Sequence, residues 1–189
     1  MLNCGLVLFA CFATSFSGFV DLKQGLSLEW SFPDPDSIKF DLSVSDDLVE
    51  SIGWISLGFK STLQGTQTTN LDGAYVIEDD DRVEDIYTLE DGIVRTDESL
   101  NSKSNIEGFE ITEYESNKVF SWSRALDTGD VHDNVLVEGE DYYLHYGYGV
   151  LSNDNSIGDG LDKFEGYVEM TLSEDFGTTT SSAFLNFLN

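Results

Sequence analysis

Short stretches in which apolar and polar residues alternate recur along almost all of the 189-residue chain. Every second residue is large and apolar from Leu26 to Phe32 and again from Ile38 to Val44, and Pro33 and Pro35 lie between the two stretches. Alternation with a period of two is typical of strands that bury one face, and proline removes a backbone donor and favours a turn. The two stretches therefore predict a pair of consecutive strands.

Seven further segments are predicted to be strands because they are short, apolar or alternating, and bounded by turn-forming residues. These are Trp54–Phe59, Ala74–Ile77, Val83–Thr88, Phe109–Ile111, Val119–Trp122, Tyr142–Tyr148 and Phe164–Leu172. The segments Asp46–Ser51 and Asp97–Ser102 are the two helical candidates. The pattern predicts an all-β fold, an antiparallel immunoglobulin-like β-sandwich of about nine strands.

The N-terminal segment has the composition of a secretory signal peptide. Residues 1–18 carry no charged side chain, an apolar run covers residues 6–12, and small residues follow it. This length is too short for a membrane span, and we expect cleavage near Gly18. Cys4 and Cys11 both lie in this segment, so the mature protein would have no thiol. The alternative is a buried N-terminal strand.

The rest of the chain is long enough for one domain, and we assign residues 19–176 to it. Residues 177–189 form a tail that begins with Thr and Ser and ends in an apolar stretch at residues 184–188. That stretch is too short for a lipid-anchor signal. It is suited to packing on a sheet edge or to contacting a neighbouring molecule.

The chain is strongly acidic, with 36 Asp and Glu residues, nine Lys and Arg residues and a formal net charge of −27. Such a charge repels nucleic acids and anionic lipid surfaces and attracts cations and basic partners. We therefore expect neither nucleic-acid binding nor a membrane span. A solvated acidic coat that keeps the protein soluble is the simpler interpretation, and cation binding is the more specific one.

Four sequence blocks occur in an order that resembles the DOMON family. They are Gly53–Phe59, Asp72–Ile77, Phe120–Asp130 and Tyr143–Gly149. DOMON domains precede the copper domains of dopamine β-monooxygenase-like proteins and serve as the haem domain of some extracellular cytochromes. The resemblance covers about residues 26–174 and implies a DOMON-like β-sandwich.

The residues needed for the family's redox chemistry do not match. Family cytochromes hold haem iron through a Met in the loop after the first block and a His on the aromatic strand. Here Met1 and Met170 lie elsewhere, and His145 is one residue from the matching position, Leu144, which places it on the opposite face of a strand. Haem is therefore not expected. Copper chemistry needs several His ligands, and the chain has two, so no enzymatic activity is predicted.

The resemblance also implies a cation site near the Asp that starts the second block. Asp72 matches that residue, and Asn105 falls on the position of a second, acidic ligand. Asp79 and Asp81 offer further carboxylates in the turn that follows. Oxygen ligands of this kind suit Ca²⁺. The alternatives are that Asp72 caps its local turn and that the acidic run is solvated.

The aromatic strand supplies a candidate ligand-binding set, Tyr143, His145 and Tyr146. Alternation places Tyr146 on one face and Tyr143 and His145 on the other. Tyrosines in strands usually pack in a core or along a sheet edge, but they also stack on sugars. A glycan-binding platform is the corresponding hypothesis.

These observations predict a secreted, extracellular binding or assembly module without catalytic activity and with a structural Ca²⁺ site. Its partner would be another protein or a second copy of the chain, and a glycan is a further candidate. The alternative is a DOMON domain that binds haem or a sugar, in electron transfer or carbohydrate recognition.

Overall fold

A computed structural model describes residues 18–23, 25–50, 52–64, 67–77, 81–90, 93–150 and 166–173. Two antiparallel sheets pack face to face as a β-sandwich. The strands are β1 (Gly18–Lys23), β2 (Leu26–Asp34), β3 (Ser37–Ser45), β4 (Trp54–Ser61), β5 (Asp72–Ile77), β6 (Arg82–Thr88), β7 (Val94–Thr96), β8 (Glu107–Tyr114), β9 (Asn117–Ala125), β10 (Asp141–Gly149) and β11 (Gly166–Thr171).

The first sheet has the strand order β1-β2-β3-β9-β8, and the second has the order β11-β10-β4-β5-β6-β7. Helical structure in the described residues consists of α1 (Asp46–Val49) and 3₁₀ turns at Thr62–Gln64 and Asp97–Leu100. None of these helical segments has the length and apolar character of a membrane span.

The core lies between the two sheets and is built by the alternation read from the sequence. In β3 every second side chain from Ile38 to Val44 is buried. The ring of Phe40 lies 5.1 Å from that of Phe59 on β4 and 5.6 Å from that of Trp122 on β9. Each such large side chain stabilises the fold by roughly 1.5–3 kcal/mol when buried. These contacts hold the two sheets together.

The all-β sandwich is confirmed, but the described residues contain eleven strands and not nine. The two strands missed from the sequence are β1 and β7. The first adjoins the proposed signal segment, which hides its alternation, and the second has only three residues, too few to show a period. Both helical candidates form single turns. Residues 1–17 and 174–189, which include all of the proposed signal peptide except Gly18 and the whole of the proposed tail, lie outside the described residues.

The second sheet is buried on both faces around β4 and β5. Its outer face carries a separate apolar cluster of Trp54, Tyr75, Ile77, Ile86 and Val94. Between the two strands, Gly58 lies directly opposite Gly73. A Cβ atom on Gly73 would lie 1.9 Å from the Leu57 carbonyl oxygen, which no side chain tolerates. This close approach places the first residue of β5, Asp72, opposite Phe59 in the interior.

We predict that Gly73→Ala lowers the free energy of unfolding by roughly 3 kcal/mol or more, as severe overpacking does. The new methyl group would meet backbone that is paired on both sides, by β4 and by β6. Urea denaturation followed by tryptophan fluorescence measures the loss.

Gly129→Ala is the matched control. Gly129 has a φ of +70°, and a Cβ atom there would meet nothing within 4 Å. It should lose only about 1–2 kcal/mol, the cost of left-handed backbone in a residue with a side chain. Equal losses in the two variants would contradict the close approach of β4 and β5.

Candidate metal centre

Two carboxylates enter the space between the sheets because of strand alternation. Asp72 begins β5 on the same face as the buried core residues Ala74 and Val76, and it has no exposed surface. On β6, Asp85 pairs with Ala74, so its side chain faces the same interior and is 3% exposed. Asp is almost never fully buried without a partner. Two buried aspartates on adjacent strands therefore need a physical explanation.

A third carboxylate comes from the connection between β9 and β10. The side chain of Asp133 is 2% exposed. Single ligand oxygens of Asp72, Asp85 and Asp133 all lie within 4.8 Å of one another. We call these three residues the inner triad.

Asn134 anchors the β9–β10 connection to the second sheet. Its backbone N–H donates to Asp72 Oδ2 at 2.7 Å, and its side-chain amide donates to the Phe59 carbonyl at 3.1 Å. The position of Asp133 is therefore set by hydrogen bonds of its neighbour to β4 and β5.

Arg124 provides the inner triad with a positive charge. Arg124, near the end of β9, is 5% exposed, and its Nη1 donates to Asp72 Oδ2 at 2.6 Å. Its Nη2 lies 3.5 Å from Asp133 Oδ2 and donates to the Asn134 carbonyl at 3.2 Å. Three carboxylates and one guanidinium leave an excess of two negative charges when all are ionised.

Asn105 reaches the inner triad from the segment before β8. Its backbone N–H donates to Asp85 Oδ2 at 2.6 Å, and its side-chain amide donates to Asp133 Oδ2 at 2.9 Å. The structure thus brings together Asp72 and Asn105, the two positions matched by the resemblance. Asn105 contributes hydrogen-bond donors that orient two of the carboxylates.

In each carboxylate of the inner triad, only one of the two oxygens has a hydrogen-bond or ion-pair partner. The Oδ2 atoms accept the hydrogen bonds or ion pairs just described. The Oδ1 atoms of Asp72, Asp85 and Asp133 are buried and have no hydrogen-bond partner among the described residues. A buried polar atom without a partner is uncommon and costs roughly 1–3 kcal/mol, and more when it is charged. The donor set and the open oxygens fit a bound cation.

Burial and crowding weaken the acidity of these groups. Burial raises the pKa of Asp72 to about 6, against the opposing effect of Arg124. Burial likewise raises the pKa of Asp85 to about 7, with a further contribution from Asp133. Asp97, fully buried nearby, has its pKa raised to about 8 by burial and then by Asp85 and Asp133. Two like charges about 4–5 Å apart repel by roughly 3–4 kcal/mol at an effective dielectric constant near 20.

Asp81, the residue before β6, lies apart from the inner triad. Asp81 is exposed, and its Oδ1 is 3.2 Å from Lys118 Nζ. Asp79 falls outside the described residues. Asp85 and Asp133 were not predicted as ligands from the sequence. Asp85 lies two residues after Val83 in a predicted strand and therefore shares its face, and that register is the signal that could have identified it.

The candidate ligand-binding residues of β10 lie on two faces. Tyr146 packs against the core, whereas Tyr143 and His145 lie against Tyr167 with ring centroids 5.3 and 5.5 Å away. Burial, and then the nearby Lys60, lower the pKa of His145 to about 4. The structure therefore does not bring the three residues into one site, because successive strand residues point in opposite directions.

No model of a known protein family matches the chain, and a search of curated proteins finds no match.

We predict that the stability of the chelator-treated protein falls as the pH rises from about 6.5 to about 8.5. In this window the folded state loses protons from Asp85 and Asp97, while the unfolded chain, with Asp pKa values near 4, has none to lose. Stabilisation present at the lower pH is therefore lost, on the order of 1–3 kcal/mol. His145 acts in the opposite direction, because its pKa is lowered to about 4 in the folded state and is near 6.5 in the unfolded chain, but it adds at most about 0.4 kcal/mol across this window. Melting temperature against pH measures the slope.

The double variant Asp85→Asn/Asp97→Asn should flatten this slope. Asp46→Asn/Asp47→Asn, at two exposed positions in α1, is the matched control for the loss of two carboxylates. A slope that is the same in all three proteins would assign the effect to the net charge of the whole chain and not to the buried aspartates.

Proposed function

We propose that this chain is a secreted, DOMON-like binding module without catalytic activity, and that Ca²⁺ bound at the inner triad orders the loops at one end of its sandwich. One observation supports the proposal above the others. Each of three buried carboxylates has one oxygen held by protein donors and one oxygen without a partner.

The charge balance favours a divalent cation. Three carboxylates carry −3, Arg124 carries +1, and the remaining −2 is the charge that one divalent ion neutralises. Carboxylate oxygens are the ligands of Ca²⁺ and Mg²⁺, and Ca²⁺ accepts the irregular geometry that strands and loops offer more readily than Mg²⁺ does. Backbone carbonyls or waters would complete its coordination. Extracellular calcium modules bind with dissociation constants of about 10⁻⁴–10⁻³ M, so a modest site suffices outside the cell.

A surface next to the cation site supports the binding role. Four apolar side chains of the 3₁₀ turn after β4 and of the β9–β10 connection are exposed: Leu63 (97%), Val131 (88%), Val135 (53%) and Val137 (46%). A cleft of about 300 Å³ lies between the 3₁₀ turn after β4 and the β9–β10 connection. It is lined by Ser61, Gln64, Asn134, Val135, Val137, Glu140 and Tyr142. Exposed apolar residues gathered around a cleft are typical of interaction surfaces.

The cleft and the cation site share one connection. Asn134 lines the cleft, and its backbone N–H donates to Asp72. A cation that holds Asp72 and Asp133 in place would therefore also fix the cleft wall. We infer that the partner is a protein that presents an apolar anchor within a basic surface, because the chain carries a net charge of −27. The same charge disfavours a second copy.

A glycan is the second candidate ligand. The rings of Tyr143 and Tyr167 are partly exposed and meet edge to face on the outer side of the second sheet. Half-exposed tyrosines can stack on sugar rings. Binding to an immobilised glycan panel that is lost in Tyr143→Ala would support this alternative, and a Soret band on titration with haem would support the redox alternative.

We predict that 10 mM Ca²⁺ raises the melting temperature of the chelator-treated protein by about 3–10 °C. For a dissociation constant of about 10⁻⁴–10⁻³ M this is about 10–100 times the constant, which stabilises the fold by roughly 1.4–2.7 kcal/mol, and a domain of this size gains about 2–4 °C per kcal/mol. Asp133→Asn should remove most of the shift, because it removes one carboxylate oxygen from the inner triad. Differential scanning calorimetry measures both.

Asp81→Asn is the matched control, since Asp81 is exposed and pairs with Lys118 away from the triad. It should keep the full Ca²⁺ response. A protein that does not respond to Ca²⁺, or that loses the response equally in Asp133→Asn and Asp81→Asn, would contradict the proposed site.

We also predict that the wild-type protein sediments as a monomer in Ca²⁺ at physiological salt, because two chains of this charge repel each other. The double variant Leu63→Asp/Val135→Asp should behave identically. A wild-type dimer that the double variant abolishes would instead assign the exposed apolar surface to self-association.

A further inference from the structure

A second group of potential metal ligands lies beside the inner triad. Single ligand atoms of Asp97, Asp130 and His132 lie within 4.8 Å of one another, and we call these residues the outer triad. Asp97 begins the 3₁₀ turn after β7, whereas Asp130 and His132 belong to the β9–β10 connection. The outer triad therefore joins two segments that are distant in sequence.

The burial of Asp97 is a second observation, independent of the distances within the outer triad. It has no exposed surface, and neither of its carboxylate oxygens has a hydrogen-bond partner among the described residues. An Asp at the start of a helical turn usually caps that turn. Here Thr96 performs this role, because its Oγ1 accepts the Ser99 N–H at 3.3 Å. Capping therefore leaves the buried Asp97 carboxylate unexplained.

We propose that Asp97, Asp130 and His132 form a second cation site, one that takes a transition-series divalent ion such as Zn²⁺. The imidazole distinguishes it from the inner triad. Ca²⁺ takes oxygen ligands, whereas imidazole nitrogen suits Zn²⁺ and its neighbours in the series. Two carboxylates and one imidazole supply three ligands, which leaves a fourth position for water.

The surroundings of the outer triad hold its ligands in place. The Ser102 hydroxyl donates to Asp130 Oδ2, and the His132 backbone N–H donates to Asp130 Oδ1 at 2.9 Å. The His132 ring lies 5.3 Å from the ring of Tyr87. Hydrogen bonds to ligating side chains commonly orient them in metal sites. The His132 side chain is 26% exposed, so an ion can reach the site from solvent.

Co²⁺ serves as the spectroscopic probe for this site. We would titrate it into the full chain with Cys4→Ser and Cys11→Ser in every variant, which removes thiol ligation. The expected result is one equivalent of Co²⁺ with a visible d–d absorption band that Zn²⁺ displaces. His132→Gln should weaken Co²⁺ binding at least about tenfold. No band in the parent protein, or a band unchanged in His132→Gln, would overturn the proposal.

Asp97→Asn tests the buried carboxylate. It should lose Co²⁺ binding, because it removes one carboxylate from the outer triad. Wild-type Co²⁺ affinity in Asp97→Asn would overturn the proposal. The imidazole resonances of the parent give a readout that needs no variant to fold. The chain has two His residues, and Zn²⁺ should shift one of them.

The variant Asp133→Asn distinguishes this site from the proposed calcium site. It should lose the Ca²⁺ response and retain Co²⁺ binding, so the failure of either site is seen independently of the other. Loss of Co²⁺ binding in Asp133→Asn would show that the two triads act as one site and would overturn a separate second site.

Discussion

The ion pair between Arg124 and Asp72 crosses the sandwich. Arg124 belongs to β9 in the first sheet, Asp72 belongs to β5 in the second, and both are buried. Removing one partner of such a pair usually costs about 3–5 kcal/mol, since it leaves a buried charge without compensation. The pair also holds the β9–β10 connection, because Arg124 and Asp72 both bond to Asn134. The loops at this end of the molecule depend on that arrangement.

The single positive charge of Arg124 does not balance the carboxylates around this ion pair. Asp85, Asp97 and Asp133 are buried within its electrostatic reach, and burial raises the pKa of Asp85 and of Asp97 well above the usual value. A protein without a function for these groups would gain stability by replacing them with apolar residues. The proposed cations would supply partners for their open oxygens. In the proposed secreted module, such ions would link loop order, and with it the apolar cleft, to the concentration of a metal outside the cell.

The β-sandwich could be predicted from the sequence because the alternation of apolar and polar residues is a local signal. Nine of the eleven described strands were predicted from alternation. The alternation of β1 is hidden beside the proposed signal segment, and β7 is too short to show a period. Asp72 and Asn105 were selected by resemblance; Asp72 belongs to the inner triad, and Asn105 bonds to the other two members, Asp85 and Asp133. Asp85 could have been selected from its strand register, whereas Asp133 lies in a connection, where one of 36 acidic residues carries no local mark of burial. Tyr146 was grouped with Tyr143 and His145 although alternation alone separates them.

Calcium titration calorimetry at pH 7, repeated in two buffers of different ionisation enthalpy, tests the central claim most directly. A cation that binds the buried aspartates must displace the protons they hold, so binding and proton release are coupled. We predict saturable binding with an apparent enthalpy that differs between the buffers by the release of a fraction of a proton or more. Saturable binding whose enthalpy is the same in both buffers, or no binding at all, would contradict the account.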